Sequence, residues 1–383
     1  MTADRALGPN TYLIGEAAGL DRLTTPALIL RLDAFEQNLT RMEAILQSAG
    51  MRIRPHAKTH KCPAVALRQI EAGALGVCTA TLREAEAMVA AGVNGVLITS
   101  PVVGPPKIER LAGLNLQAEG LMAVVDHADN ADALAQAART AGATLAVLVD
   151  TDIGMHRTGV SSAEAAVGLA TRIAAADGLD YRGVQGYSGQ VQHIENYAER
   201  ENVYGRQLDR LAATVSALSD AGLAPPIVTG GGTGTLGIDV QRRVINEHQA
   251  GSYAFMDVEY NLVEIVQGQN TSPFATSLTM RNSVVSNNAA GFVTIDGGFK
   301  CFATDGPLPE LESGTPGGAR YEYFGDEHGR VVFAEDSEAL PLGAQVELVT
   351  PHCDPTVNLH DFIHAVRGDV IEDIWPIEAR GVL

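Results

Sequence analysis

The strongest constraint in this chain is an alternation. Between residues 52 and 250, eight short apolar runs each give way to a stretch with helical periodicity. The runs are Arg52–His56, Leu75–Thr79, Gly95–Thr99, Leu121–Val125, Leu145–Asp150, Gly183–Tyr187, Pro226–Thr229 and a weaker Glu247–Ala250. Stretches such as Leu82–Ala91, Asn130–Ala141 and Glu201–Ala221 are rich in Ala, Leu and Glu, with apolar residues every three or four positions, the pattern of amphipathic helices. Eight such strand–helix units predict a (β/α)8 TIM-type barrel; a doubly wound open sheet is the alternative, and the count of eight favours closure.

The pattern changes near residue 270. Gly291–Asp296, Arg330–Phe333, Gln345–Val349 and Asp361–Val366 read as strands separated by Gly, Asp and Pro, so an antiparallel β domain follows the barrel. An early strand at Thr25–Leu32 is expected to pair with it. The division is therefore residues 34–270 for the barrel, and 1–33 with 271–383 for the β domain.

A net charge of −19 argues against nucleic acid as a partner. The four cysteines, Cys62, Cys78, Cys301 and Cys353, have no paired spacing, which speaks against a disulfide framework. The first residues lack a signal-peptide pattern, and no apolar run is long enough to span a bilayer. These features point to a reduced, soluble, cytoplasmic enzyme.

Four segments carry chemistry. In Arg52–Lys61, residues two apart share one face of an extended strand, so Arg54, His56 and Lys58 are expected to point together. Three such cations call for an anionic ligand, and a lysine among cations has a lowered pKa, which suits a Schiff-base amine. Taken alone, the segment is equally a solvated basic turn. Lys61 falls off the strand and has the weaker claim. Thr229–Thr235 contains three consecutive glycines directly after the seventh strand, where a TIM barrel places its phosphate site; Ala250–Tyr253 after the eighth would complete it. In Asp150–Gly159, Arg157 could hydrogen-bond a cofactor hydroxyl and Asp152 could orient it; a surface ion pair is the plainer reading. In Pro351–Asn358, His352 and Asp354 share a face if the chain is extended, with Cys353 turned away. That donor pair suits a hard or borderline divalent ion, Mn²⁺ or Mg²⁺, with water or a third ligand completing the site. His193 follows the sixth strand and is a candidate base. Asp326–Gly329 either faces the site or forms a hairpin turn.

Together these segments resemble the D-threonine aldolase family, fold-type III pyridoxal-phosphate enzymes related more distantly to alanine racemase. The matching stretches are RPHAKTHKCP (54–63), DIGMHRTGV (152–160), GVQGYSGQVQH (183–193), TGGGTGT (229–235), AGSYAFMD (250–257), DEHG (326–329), HCDPTVNLHD (352–361) and IWPIEARG (374–381). The resemblance implies that Lys58 carries pyridoxal 5'-phosphate and that Arg157 contacts its ring hydroxyl. It implies that Thr229, Gly232, Thr233, Gly251, Ser252 and Tyr253 gather around the cofactor and its phosphate. Gln185 and Tyr187, with His56, would line the pocket. His352 and Asp354 would hold the divalent metal, with His193 acting beside it. The implied reaction is retro-aldol cleavage of a D-β-hydroxy-α-amino acid to glycine and an aldehyde. D-3-hydroxyaspartate aldolases and D-serine or D-3-hydroxyaspartate dehydratases are similar, as are small single-barrel cofactor-binding proteins that lack the β domain. The dehydratases carry Cys two positions after the His, where this chain has Asp354. Relatives of this fold type often pair, one subunit's β domain approaching the other's barrel.

Overall fold

In the computed structural model, which describes residues 7–269, 271–334 and 338–381, the eight units build one parallel sheet; the domain boundary expected at 270 falls outside the described residues. After β1 (Ala27–Arg31), the strands are β2 (Arg52–Ile53), β3 (Cys78–Thr79), β4 (Leu97–Ile98), β5 (Met122–Val125), β6 (Leu145–Thr151), β7 (Leu179–Gly186), β8 (Ile227–Gly230) and β9 (Glu247–His248). The hydrogen-bonded order runs β2-β9-β8-β7-β6-β5-β4-β3. A parallel bridge between His56 and Cys78 joins the two ends, with Leu75 N–H donating to Ile53 O and Cys78 N–H to Pro55 O, both at 2.8–2.9 Å. The sheet is thus a barrel rather than a doubly wound one. Cys78, Leu97, Met122, Val124, Leu148 and Ile227 fill its interior, a packed core and not a pore.

Local chemistry explains where the helices begin. Thr81 caps helix Leu82–Ala90 by accepting the Glu84 amide, while the Glu84 carboxylate reaches back to the Thr81 amide. Asn196 caps Tyr197–Asp220 and Ser162 caps Ala163–Ala175 by accepting the amides of Glu199 and Ala165, without the reciprocal bond.

The second sheet holds β10 (Leu278–Ser286), β11 (Phe292–Ile295), β12 (Glu310–Ser313), β13 (Arg320–Tyr323), β14 (Gly329–Val332), β15 (Gln345–Val349), β16 (Phe362–Arg367) and β17 (Val370–Pro376), with β1 between β10 and β16. β1 is antiparallel to β10 and parallel to β16. The early strand therefore belongs with the β domain, as its sequence suggested. Asp326–Gly329 connects β13 to β14, so the hairpin-turn reading is the one observed. No helix among the described residues is long and apolar enough to cross a membrane.

Two stitches hold the β domain over the barrel mouth. Val258 and Glu259 amides donate to Thr350 O and Pro351 O, at 3.0 and 3.2 Å, and the Cys353 amide donates to Asp257 Oδ2 at 2.8 Å. Lys61 Nζ donates to Asn358 Oδ1 and Gly381 O, both at 2.9 Å, which gives Lys61 a structural role between the two sheets.

Candidate active site

Strand β2 ends after Ile53, and the chain then makes a single 3-10 turn, Ala57–Thr59. This breaks the expected cationic trio. Arg54 points into the barrel a layer below the mouth, where it pairs with Glu247 at 2.8 Å and donates to Leu75 O and Gly95 O. A carboxylate of the protein neutralises it, not a ligand. Only His56 and Lys58 reach the cavity. His56 Nδ1 accepts the Lys58 amide at 3.3 Å and Nε2 meets Thr99 Oγ1 at 3.1 Å, whose own proton goes to Thr79 O. Burial, then the Lys58 charge, drive the His56 pKa well down, so the ring is neutral.

Lys58 Nζ lies 3.6 Å from Asp354 Oδ2. Burial opposes its charge, but Asp354 prevails and raises the pKa of the amine. This corrects the expectation of a lowered value: a carboxylate stands where two further cations were anticipated. Asp354 is half-buried, and Lys58 and His352 overcome the partial loss of solvent to lower its pKa.

Lys58 opens into a cavity of about 210 Å³ that His193, Gly232, Thr233, Gly251, Ser252, His352 and Asp354 also line. A smaller recess of about 70 Å³ adjoins it, bounded by Arg157, Gln185, Tyr187 and Gln249. The Arg157 guanidinium sits over the Tyr187 ring, 5.6 Å from its centre. Asp152 does not orient it. That carboxylate accepts the amides of Gly154 and His156 and the His156 ring, closing a turn in which His156 has φ of 56°. Gln185 donates to Thr99 O and Asp150 Oδ1, and its oxygen accepts from Gln249, which also donates to Thr229 Oγ1. Thr229, expected at the cofactor, does not line the cavity and instead lies behind Gln249. Burial pushes Asp150 up to about 6 against hydrogen bonds from Thr158 and Gln185.

The glycine turns after β8 and β9 face each other across the cavity. A Cβ at Gly234 would stand 2.1 Å from Gln192 O, and one at Gly251 2.3 Å from Thr59 Oγ1, so neither position admits a side chain. Among the described residues, the amides of Thr233, Gly251 and Ser252 have no protein acceptor. The Gly232 amide is already engaged by Thr235 Oγ1. Tyr253 contributes only its backbone, which donates to Thr233 Oγ1; its ring packs on Phe274 and does not reach the cavity.

His352 and Asp354 both line the cavity, but not as an extended pair. His352 is the N-cap of the short helix Cys353–Val357, and Asp354 sits in its first turn; Pro355 is tolerated there because first-turn amides have no helical acceptor. Cys353 is buried and does not line the cavity, although its thiol lies 3.4 Å from Asp354 Oδ1. His352 Nδ1 meets Asp305 Oδ2 at 2.9 Å, which leaves Nε2 as the free nitrogen. Burial opposes a charge on His352, and Asp354, Asp257 and Asp305 outweigh it to raise the pKa. The His193 ring packs at a tilt of 48° against Tyr260, centre to centre 4.9 Å, and lies 5.9 Å from the His352 ring. Its Nδ1 is 3.1 Å from Glu259 Oε1, out of line for a hydrogen bond. Burial, then His352, bring its pKa down to about 4.

The chain is 41% identical to a D-threonine aldolase of an Arthrobacter species over 94% of both chains. The chain belongs to the D-threonine aldolase family. Residues 30–258 match the alanine racemase N-terminal domain and residues 277–366 a serine dehydratase domain. A 3-hydroxy-D-aspartate aldolase of Paracoccus denitrificans is 36% identical over 97% of this chain and 96% of its own. The crystal structure of D-threonine aldolase from Filomicrobium marinum superposes with a TM-score of 0.89 at 42% identity, covering 94% of this chain and 96% of that one. In this member of the D-threonine aldolase family, Gln249 lines the cavity and Glu259 and Asp305 stand beside its two histidines, three neighbours that the sequence did not suggest. Glu259 and Asp305 lie outside the segments singled out, and only the fold brings them to His193 and His352.

Proposed function

We propose that the chain cleaves D-β-hydroxy-α-amino acids, of the D-threonine type, to glycine and an aldehyde. It does so with pyridoxal 5'-phosphate on Lys58 and a divalent metal, Mn²⁺ or Mg²⁺, on His352 and Asp354. The residues suit both groups. Unpartnered amides at Thr233, Gly251 and Ser252 face the cavity that holds Lys58, as a phosphate requires. The free His352 nitrogen and the Asp354 carboxylate are donors for a hard or borderline divalent ion, and Asp305 orients the imidazole from behind. Among the described residues no three His, Cys, Asp or Glu side chains form a metal cage, so water and substrate would complete the coordination.

The cofactor supplies an electron sink for the pair left on Cα, and the metal supplies Lewis-acid stabilisation at the β-oxygen. The chain's own groups do the rest. Lys58 provides the amine for covalent attachment of the cofactor. Arg157 and Tyr187 form one wall, and the Gln185–Gln249 pair the floor. His193 is neutral at pH 7 and accepts the β-hydroxyl proton. The Cβ–O bond becomes a carbonyl as Cα–Cβ breaks, and protonation at Cα gives glycine.

The observation that carries this reading is that Asp354, and not Cys353, lines the cavity beside Lys58. A carboxylate at the metal favours a hard ion on an alkoxide over thiolate-supported β-elimination. The test is incubation with D-threonine and with D-serine, with and without EDTA. Acetaldehyde plus glycine, lost on chelation, is the expected result. Pyruvate plus ammonia without acetaldehyde would reassign the chain to the dehydratases. Glyoxylate formed from D-3-hydroxyaspartate faster than acetaldehyde from D-threonine would reassign it to the hydroxyaspartate aldolases.

A further inference from the structure

Beneath the two glycine turns lies a polar cluster that none of these steps uses. Asp239, in helix Leu236–Arg242, and His248, at the end of β9, are fully enclosed, with His248 Nε2 3.1 Å from Asp239 Oδ2. The same oxygen accepts from Thr235 Oγ1 at 2.8 Å, and Asp239 Oδ1 accepts from the Tyr204 hydroxyl at 2.9 Å. Two of these donors are in turn acceptors for backbone amides of the turns. Gly232 N–H donates to Thr235 Oγ1 at 3.0 Å, and Ala250 N–H donates to His248 Nδ1 at 3.2 Å. With Nδ1 accepting, the imidazole proton sits on Nε2 and is donated to Asp239. One carboxylate therefore terminates two relays, one from each side of the cradle.

Packing tells the same story independently. Gly231, at φ +72°, lies directly over the pair. A Cβ there would meet Asp239 Oδ2 at 2.6 Å and His248 Nε2 at 2.8 Å. The turn is seated on the cluster with no space between. A buried carboxylate is costly unless fully hydrogen-bonded, and an apolar cluster would fill the same volume without that cost. What the polar cluster adds is direction. It draws the Gly232 and Ala250 amides inward, and the Thr233, Gly251 and Ser252 amides are left for the cavity.

We propose that Asp239 is a positioning residue for the cofactor phosphate, fixing both glycine turns through Thr235 and His248 so that their free amides converge on one anion. This rests on the reading of the cavity as a pyridoxal-phosphate site. The test compares full-length wild type, Asp239→Asn, Thr235→Val and Thr235→Ser. Their dissociation constants for pyridoxal 5'-phosphate and for unphosphorylated pyridoxal are measured by visible titration, and phosphorus NMR of each holoenzyme reports on the bound phosphate. Asp239→Asn and Thr235→Val are expected to lose about tenfold or more in affinity for the phosphorylated ligand while pyridoxal changes by less than about twofold. Thr235→Ser, which keeps the hydroxyl, should restore both the affinity and the phosphorus resonance. Equal losses for both ligands, or no loss, would overturn the proposal. A wild type that does not distinguish the two ligands would overturn the phosphate reading itself, and this inference with it. Should Asp239→Asn fail to fold, the Thr235 pair carries the test, because Thr235→Val leaves the His248 relay intact.

Discussion

Arg54 and Glu247 form an enclosed ion pair inside the barrel, Nε to Oε2 at 2.8 Å. The pair joins the first and last strands of the ring, and Arg54 also reaches Leu75 O and Gly95 O. Removing one partner leaves an uncompensated charge in the core. Glu247→Gln should therefore cost about 3–5 kcal/mol of unfolding free energy, whereas Arg54→Met with Glu247→Leu should cost less, since no charge is stranded. Urea unfolding of the three proteins decides it. A single variant as stable as the wild type would show that Arg54 is satisfied by its carbonyl partners alone.

That pair also shows what could and could not be read from the sequence. The barrel was legible because eight apolar runs with helical stretches between them admit few arrangements. β10 was not legible: Arg281, Asn282 and Ser283 interrupt its apolar pattern, and only the fold supplies their partners Gln345, Glu347 and Asp296. The position of Lys58 was legible, but its electrostatic setting was not. Alternation along a strand placed Arg54 and Lys58 on one face, yet a rise of roughly 3.3 Å per residue separates Arg54 from the mouth by a full layer, and the strand ends before Lys58. Asp354, from the other sheet, is its real neighbour. Likewise residue type singled out His352 and Asp354, which do line one cavity, although a helix N-terminus and not an extended segment presents them.

Lys58→Ala should abolish the visible absorbance of the Schiff base and the lyase activity together, because no other lysine among the described residues lines the cavity. The phosphate cradle does not depend on the Lys58 side chain, so the variant should still bind the cofactor non-covalently, with an absorbance like that of the free aldehyde. Titration of the variant with pyridoxal 5'-phosphate would show this. An unchanged holoenzyme spectrum would remove Lys58 from its assigned role.

His352→Ala addresses the other half of the site. It removes one donor and leaves Lys58 and the glycine turns untouched. The expected outcome is a normal cofactor spectrum with turnover reduced by at least about a hundredfold, scarcely improved by added Mn²⁺. Asp305→Asn should do less, roughly tenfold or more in metal affinity, because it loses only the carboxylate that orients the imidazole. Metal titrations followed by Mn²⁺ electron paramagnetic resonance separate the two effects. Activity of His352→Ala that persists in EDTA would contradict a metal at this position.

His60 makes a pH-dependent contribution to stability. It is fully buried two residues beyond Lys58, its ring edge-on to Phe255 at 6.4 Å, and Nδ1 accepts the Cys62 amide at 3.1 Å. Burial brings its pKa down to about 4. The sign follows from which state takes the proton. Below the ordinary histidine value near 6.5, the unfolded chain binds a proton at this position that the folded chain refuses. The contribution is complete above about pH 6.5 and is lost as the pH falls to about 4, amounting to about 3 kcal/mol across that window. His60→Asn keeps an acceptor for the Cys62 amide and does not titrate. The variant is less stable at pH 7 because it opens a small cavity, but its deficit relative to wild type should shrink steadily between pH 6.5 and pH 4. Denaturant midpoints of both proteins across this range measure the difference, in which the other titrating groups cancel. A deficit that stays constant with pH would mean that His60 takes up its proton without unfolding.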